Sequence, residues 1–378
     1  MGVIVSMIEE QLDRLNERVT WSELARKLGV NPGTISHFRN NGIELSFQSL
    51  LNLSRFLYKD KYVHVMSKWC LNLRLPKNLK CSLEFLSSNL KLDELEELIQ
   101  IIEEQYDSRE LKNWTEIYKI MLARQRNKDN LDFIEDLRRF SPKTVETKIL
   151  ALIMELYYFY SIKDYTTMLK KSDELAHNFT VIKDDFIRSS FEARLYEIVA
   201  YTTLYNLVDY QSAREYANKI ISKKICAVFT LSAYYIVGMS FLFEDYDKCL
   251  HYLKIYEKLL QEYNFTAYLE VLHNQHIPFI NNIWGKTTSS EEINDISEKA
   301  HFEAKYGDKK RAIEFLNNIE ETPFRLYYRG IAENDPTLLL KSLVKFIKQG
   351  NKFYAKLPYD ILAKNEKLSD IAHLLYYD

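Results

Sequence analysis

The stretch TWSELARKLGVNPGTISHFRNNG (residues 20–42) crowds hydroxyls, amides, cations and a histidine into two short helical patterns. Thr34, Ser36 and His37 carry groups that bond to base edges, and the Thr34 methyl also suits a thymine methyl. The alternative for His37 is an ordinary exposed histidine. Arg39, Asn40 and Asn41 follow one turn later, where phosphate oxygens are the natural partners, as they are for Lys27 and for the helix starts at Thr20 and Asn31. Pro32 and Gly33, at the start of the second pattern, offer no hydrogen-bonding side chain. One copy would therefore bind double-stranded DNA weakly, and two copies on a two-fold site are expected.

A second chemistry lies in the body. YTTLYN (201–206), EVLHNQHIPFINNIW (270–284) and INDISEKAH (293–301) set Asn, Gln, His and Glu among apolar neighbours. An amide side chain donates and accepts at once, as binding an extended peptide requires. Asn206 and Asn282 carry such amides, and the Thr202 hydroxyl can likewise donate and accept. Catalysis has no comparable signature: there is no P-loop, no GxGxxG and no HExxH. His273 and His276 are an i,i+3 pair with no third ligand nearby, so neither enzyme, cofactor nor metal site is expected. Cys70, Cys81, Cys226 and Cys249 form no CxxC pair and are expected as buried, reduced thiols of a cytoplasmic protein. The opening MGVIVSMIEEQ has no basic n-region, and ILALIMELYYFY (149–160) is too short to span a bilayer, so no membrane partner is expected.

These side chains need a frame, and glycine usage says which kind. The chain has 9 glycines in 378 residues, none of them between positions 43 and 237, and only Pro76 and Pro142 interrupt that span. Strands joined by tight turns need residues that tolerate positive φ, so an all-α chain is predicted. A helix over about 3–17 would turn Ile4, Ile8, Leu12 and Leu15 to one side. Thr20 with Glu23 forms a capping box, Gly29 closes that helix, Asn31 caps the next and Pro32 sits at its first position. Leu24, Ala25, Leu28, Ile35 and Phe38 face inward, and the small Ala25 and Gly29 would let two helices cross closely. Ser46 caps a further helix. Residues 1–80 hold 12 Lys/Arg against 7 Asp/Glu, leaving 39 against 46 in the remainder. The basic residues from Arg55 to Lys80 either extend a DNA-facing surface or solvate a helical linker.

Beyond about residue 90 one phrase recurs: KDYTTMLKKSDEL, VDYQSAREYANKI, EDYDKCLHYLKIY, GDKKRAIEFLNNI and NDPTLLLKSLVKF. They align on Asp164, Asp209, Asp245, Asp308 and Asp335, with Met168, Ala213, Cys249, Ala312 and Leu339 four residues on. Ala217, Leu253 and Leu316 come a turn later. An aspartate turn followed by small and large apolar residues at helical spacing is the second helix of a tetratricopeptide unit. The intervals of 45, 36, 63 and 27 scatter around the period of about 34, and the longest leaves room for a degenerate hairpin over 264–286. Most of the 27 tyrosines are expected as hairpin packing. The predicted fold is all-α: an N-terminal helix-turn-helix domain (1–60), a helical linker (61–90), a right-handed superhelical TPR-like solenoid with a concave partner-binding face (91–366) and a C-terminal helix (367–378). That last helix carries Leu368, Ile371, Leu374 and Leu375 on one stripe, either as a solenoid cap or as a homodimer interface.

A helix-turn-helix joined to a diverged tetratricopeptide array resembles the RRNPP superfamily of peptide-pheromone receptors. WCLNL (69–73), GMSFLF (238–243), PFINNIW (278–284), EKAH (298–301), LYYRG (326–330) and NKFYAKLP (351–358) resemble, in order, the arbitrium receptors (AimR) of temperate phages. The resemblance implies a cytoplasmic dimeric regulator of phage lysis and lysogeny. It would act at DNA upstream of a small locus, and a short imported signalling peptide would end the activation. It places peptide contacts at Asn206, Leu242, Phe279, Glu298 and Asn351, with Glu298 facing a peptide arginine. Met239 stands where a backbone-binding Asn is expected, and Val228 where an Arg would hold the peptide carboxylate. It also favours the interface role for the last helix. A host or plasmid regulator of the PlcR/Rgg type and a Rap-like protein-sequestering array are the alternatives; the latter lacks a DNA-reading motif.

Overall fold

A computed structural model of the chain describes residues 2–15, 19–126, 131–223, 225–317 and 319–377. Every regular element among them is helical, as the glycine distribution predicts. The chain divides into two compact units, Met1–Ile198 with Lys219–Thr230, and Val199–Asn218 with Leu231–Asp378.

The first unit opens with α1 (Gly2–Arg14), α2 (Trp21–Leu28), α3 (Pro32–Asn41) and α4 (Phe47–Tyr58). The local signals act as their chemistry dictates. Thr20 Oγ1 accepts the Glu23 N–H at 3.3 Å while the Glu23 carboxylate accepts the Thr20 N–H at 2.7 Å, which holds the Glu23 carboxyl below its ordinary range. Asn31 caps α3 through the Gly33 N–H, and Ser46 caps α4. Ile4, Ile8, Leu24, Ala25, Ile35 and Phe38 are buried, whereas Leu12 is half-buried and Leu15 lies past the end of α1. The expected end of that first helix at Glu17 falls outside the described residues. One expectation needs correction. Gly29 is not a crossing point: a Cβ there would meet nothing within 4 Å, and glycine is favoured instead by the left-handed φ of 65° that closes α2.

α1 is fastened to α4 by the Tyr58 hydroxyl, which donates to the Met7 carbonyl at 2.7 Å, and by Gln11 Nε2 on the Leu57 carbonyl at 3.0 Å. Glu44, just before α4, takes the backbone N–H groups of Arg74 and Leu75 and the Asn78 amide at 2.5, 3.1 and 2.9 Å. It thereby fixes the chain that leads into the helix Pro76–Ser88. That helix is buried along most of its length and carries Glu84, fully enclosed. Arg194, from the helix Asp185–Thr202, meets both Glu84 oxygens at 2.9 and 3.2 Å, and Tyr118 donates to the same carboxylate at 2.7 Å. Ser190 adds a short hydrogen bond. Burial opposes the Arg194 charge, but Glu84 with Tyr157 and Tyr118 together outweigh it and the guanidinium is held well above its ordinary range.

The repeat phrase begins a helix in all five places. Asp164, Asp209, Asp245, Asp308 and Asp335 each accept a backbone N–H two or three residues on, at 2.8 to 3.0 Å. Met168, Ala213, Cys249 and Ala312 are 0% exposed and Leu339 4%. Met168 and Leu339 are the large residues at that position, and for Leu339 the partner helix Pro323–Glu333 makes room with Gly330, where an added Cβ would come within 2.8 Å of the Leu339 side chain. The stretch 264–286 is not a hairpin. It is one unbroken helical path, Thr266–Val271, a π-helical turn Leu272–His276, then Ile277–Trp284. The wide turn sits just ahead of Pro278, whose ring would otherwise press on the Asn274 carbonyl in a regular helix.

The Glu84–Arg194 pair gives a stability prediction. Glu84→Gln leaves a buried guanidinium without its anion and should cost about 3 kcal/mol in urea unfolding. The double variant Glu84→Leu/Arg194→Met, which removes both charges, should recover much of that loss.

Candidate functional site

α3 presents Thr34, Ser36 and His37 on its exposed side. Asn40 donates to Ser36 Oγ at 3.2 Å, and the Asn41 amide lies 3.4 Å from His37 Nδ1. Thr20 and Asn31 spend their side-chain oxygens on capping. Arg39 is held from two sides, by Glu9 of α1 at 3.0 Å and by stacking over the Trp21 ring at 5.3 Å. Lys27 lies over Phe56, 4.1 Å from the ring centre. The surface is therefore a helix with three exposed polar side chains, two of them bonded to the amides one turn on, flanked by cations already oriented by the protein.

The second unit holds the other set. Two π-helical turns, Thr203–Leu207 and Leu272–His276, fall inside the polar stretches that the sequence singles out. Such turns re-aim side chains and concentrate at functional places. The first is followed by Val208 at φ 60°, a strained conformation for a β-branched residue. It places Asn206 so that Nδ2 donates to the Gly350 carbonyl, next to Asn351, which caps the helix Lys352–Leu362 through the Tyr354 N–H at 3.2 Å. Tyr205 packs on Tyr354 at 5.8 Å, Tyr354 on Phe279 at 5.8 Å and on Phe324 at 4.9 Å, and Phe279 on His301 at 5.7 Å. Asn206, Asn351, Phe279, Asn282 and Glu298 thus border one aromatic wall.

At its far end stands a buried polar knot. Asn282 Nδ2 donates to the Glu298 carbonyl at 3.0 Å and lies 3.4 Å from its carboxylate. His301 Nδ1 is 3.0 Å from Glu298 Oε2, and the Tyr328 hydroxyl donates to Oε1 at 2.8 Å. The His301 and Tyr328 rings stack at 4.2 Å and 10°. Burial lowers the His301 pKa below its ordinary value even though Glu298 pulls the other way. His276, beside the Tyr235 hydroxyl at 3.3 Å, is lowered by burial to about 4. Burial keeps Tyr205, Tyr235 and Tyr354, which hydrogen-bond to one another, protonated far above neutrality.

Four expected contacts, Thr202, Met239, Leu242 and Asn282, are 0% exposed, and the Leu242 carbonyl accepts the Trp284 indole N–H at 2.7 Å. His273 pairs with Glu257 at 2.7 Å, apart from the His276 contact, and among the described residues no group of three metal-type ligands occurs. The last helix, Ser369–Tyr377, stacks Tyr376 on Tyr359 at 4.4 Å and leaves Ile371 and Leu374 46% and 62% exposed. Leu368 precedes it and Leu375 is half-buried; the expected end at Asp378 falls outside the described residues. No described helix is long and apolar enough to cross a membrane. His301 is marked in the sequence only as part of the polar stretch 293–301, and Tyr328 and Tyr354 are not singled out among the packing tyrosines. The i,i+3 spacing of Glu298 and His301 on one helix face was the available signal for the first.

The buried imidazoles give a pH prediction. His276 is lowered from 6.5 to about 4, so below pH 6.5 the unfolded chain binds a proton that the folded one refuses. Stability is full above that pH and should fall by up to about 3 kcal/mol as pH drops towards 4. Denaturation of His276→Gln over the same range should show a shallower slope.

The chain is 24% identical to the AimR transcriptional regulator of Bacillus phage SPbeta over 382 residues, covering 95% of this chain and 97% of that one. The solved structure of SeMet-phAimR matches with a TM-score of 0.80 at 21% identity, over 99% of this chain and 100% of that one. A structure described as phAimR-Ligand matches with a TM-score of 0.67 at 23% identity, over 84% and 96%. The model of the AimR transcriptional regulator-like family matches residues 62–364, most of the length, and the chain belongs to that family.

Proposed function

We propose that this protein is a peptide-gated, DNA-binding transcription regulator that controls phage lysis and lysogeny in the host cytoplasm. Residues 1–60 form its DNA-binding domain, 61–90 a helical linker, 91–366 the peptide-binding array and 367–378 the dimerisation helix. The dimer binds double-stranded operator DNA through Thr34, Ser36 and His37, with Thr20, Lys27, Asn31, Arg39, Asn40 and Asn41 on phosphates. A short imported peptide lies along Asn206, Asn351, Phe279, Asn282 and Glu298, with Thr202, Met239 and Leu242 behind them. The two protomers meet through Leu368, Ile371, Leu374 and Leu375. Peptide favours one of several conformations of the dimer, the two reading helices lose the spacing of the half-sites, and activation ends.

The observation that carries this reading is the buried Glu298 carboxylate, which is surrounded by the neutral donors Asn282, His301 and Tyr328 in a chain that also presents an exposed reading helix. A buried carboxylate without a cation is costly to the protein alone and is well suited to a cationic peptide residue.

The test is a band-shift on DNA upstream of the locus, with and without peptides encoded beside the gene, together with light scattering. Specific binding that one peptide abolishes is expected; absence of binding at low salt overturns the reading. On that DNA, Thr34→Ala and His37→Ala should each weaken specific binding by about 1–3 kcal/mol and leave binding to unrelated DNA nearly unchanged.

A further inference from the structure

Helices α2 and α3 carry Arg26, Lys27 and Arg39, and the three are held in different ways. Arg26 pairs with Glu23 on its own helix at 3.8 Å, and Lys27 lies over the Phe56 ring. Arg39 alone among them meets a carboxylate from a distant part of the chain. Glu9 of α1, 30 residues away, receives both Nε and Nη2 of Arg39 on one oxygen, Oε1, each at 3.0 Å. The same guanidinium lies over the Trp21 ring of α2 at 5.3 Å.

Both braces are themselves fixed. Glu9 sits between Met7 and Gln11, the α1 residues that bond to Tyr58 and Leu57 of α4. Trp21 packs at 6.2 Å on Phe38, which is fully buried. Charge is the smaller part of what Glu9 supplies. The Arg39 and Glu9 side chains are 46% and 43% exposed, so water screens the pair and its own energy is small. Direction is the larger part. Glu9 occupies the Nε side of the fork, and among the described residues nothing else bonds to Arg39, so the Nη1–Nη2 end is open. That end is a pair of donors matched to two oxygens of one phosphate. An unbraced arginine at the end of a helix gives up its rotamer freedom on meeting DNA; this one has given it up in advance.

We infer that Glu9 is a positioning residue for DNA binding: it holds Arg39 by one edge so that the Nη1–Nη2 end meets a phosphate as a preformed two-pronged donor. The inference rests on the DNA-binding reading above and adds to it a residue that acts through Arg39 and not by a contact of its own.

The test uses the full chain, a duplex carrying the DNA upstream of its gene and an unrelated duplex of equal length. Glu9→Ala removes the brace, Glu9→Asp keeps the charge but draws the carboxylate back, and Glu9→Gln keeps an acceptor for the Nε–H and discards the charge. Glu9→Ala and Glu9→Asp should weaken binding to both duplexes alike by about fivefold, because a phosphate contact carries no sequence. Glu9→Gln should bind at least as tightly as the unsubstituted protein. In an Arg39→Gln background, Glu9→Ala should change nothing further. With 15N-arginine, the Arg39 Nε–H signal, assigned with Arg39→Lys, should persist in the unsubstituted protein and in Glu9→Gln, and be lost to exchange with water in Glu9→Ala. Glu9→Ala that binds as tightly as the unsubstituted protein, or more tightly, overturns the inference, since Glu9 would then be idle or would compete with phosphate for Arg39. Weakening confined to the upstream duplex, or weakening that survives Arg39→Gln, overturns it as well. Each of these outcomes leaves DNA binding itself standing, whereas failure of the unsubstituted protein to bind either duplex at low salt overturns both readings together. If circular dichroism shows that Glu9→Ala disturbs α1, the contrast between Glu9→Asp and Glu9→Gln decides.

Discussion

The structure depends on where its helices are made to begin. In a chain with so little glycine and proline, the amphipathic pattern alone would allow helices to run on or slip. An aspartate carboxylate at Asp164, Asp209, Asp245, Asp308 and Asp335 instead takes the first free N–H groups and sets the start of each second helix. Once the start is set, the residue four positions on is obliged to point inward, and it is small or buried in every copy. Leu339 is the instructive case. The space it takes is returned by Gly330 on the facing helix, so the close approach survives an exchange of which partner is small.

Two buried carboxylates show how one group serves opposite ends. Glu84 is enclosed with Arg194, Ser190 and Tyr118, so its charge and its lone pairs are both matched inside the protein. Such a pair contributes little net stability relative to an apolar core, yet it is costly to break and specifies which helices meet. Glu298 is almost as buried, but its neighbours are neutral and one of them, His301, has a nitrogen without a partner. The first arrangement is closed and suits a scaffold. The second is electrostatically incomplete, which is what a site for a charged ligand requires.

Much of this was legible in the sequence because it rests on local chemistry. Capping boxes, proline at a first helical position and aspartate turns act within four residues, and Thr20, Pro32 and Asp245 behave as their types dictate. What stayed hidden depends on contacts across long stretches of chain or on departures from regular helix. Nothing in the types of Glu84 and Arg194 announces a pair 110 residues apart. A π turn has no composition of its own, so 264–286 looks like a broken hairpin when it is one helix relieved ahead of Pro278. Gly29 and Ala25 look alike as small residues, and only the backbone angle shows that one answers to φ and the other to packing. Asn206 and Glu298 stood out as polar residues among apolar ones, whereas Tyr354 was indistinguishable from the many tyrosines that merely pack.

α3 is braced by a chain of bonds that runs through the first unit. Arg39 of α3 is tied to Glu9 of α1, α1 is tied to α4 through Tyr58 and Gln11, and Glu44 ahead of α4 holds the chain leading into the helix that carries Glu84. Glu84 in turn is locked to Arg194. Each link is a directional bond between named groups, and none passes through a glycine-rich or unpaired segment. A reader mounted on a flexible tether would sample many orientations and lose any regulation by geometry. α3 instead packs on α2 and is linked through Glu9, Tyr58 and Gln11 to α1 and α4, so under the proposed function a signal to Thr34, Ser36 and His37 would pass through those bonds.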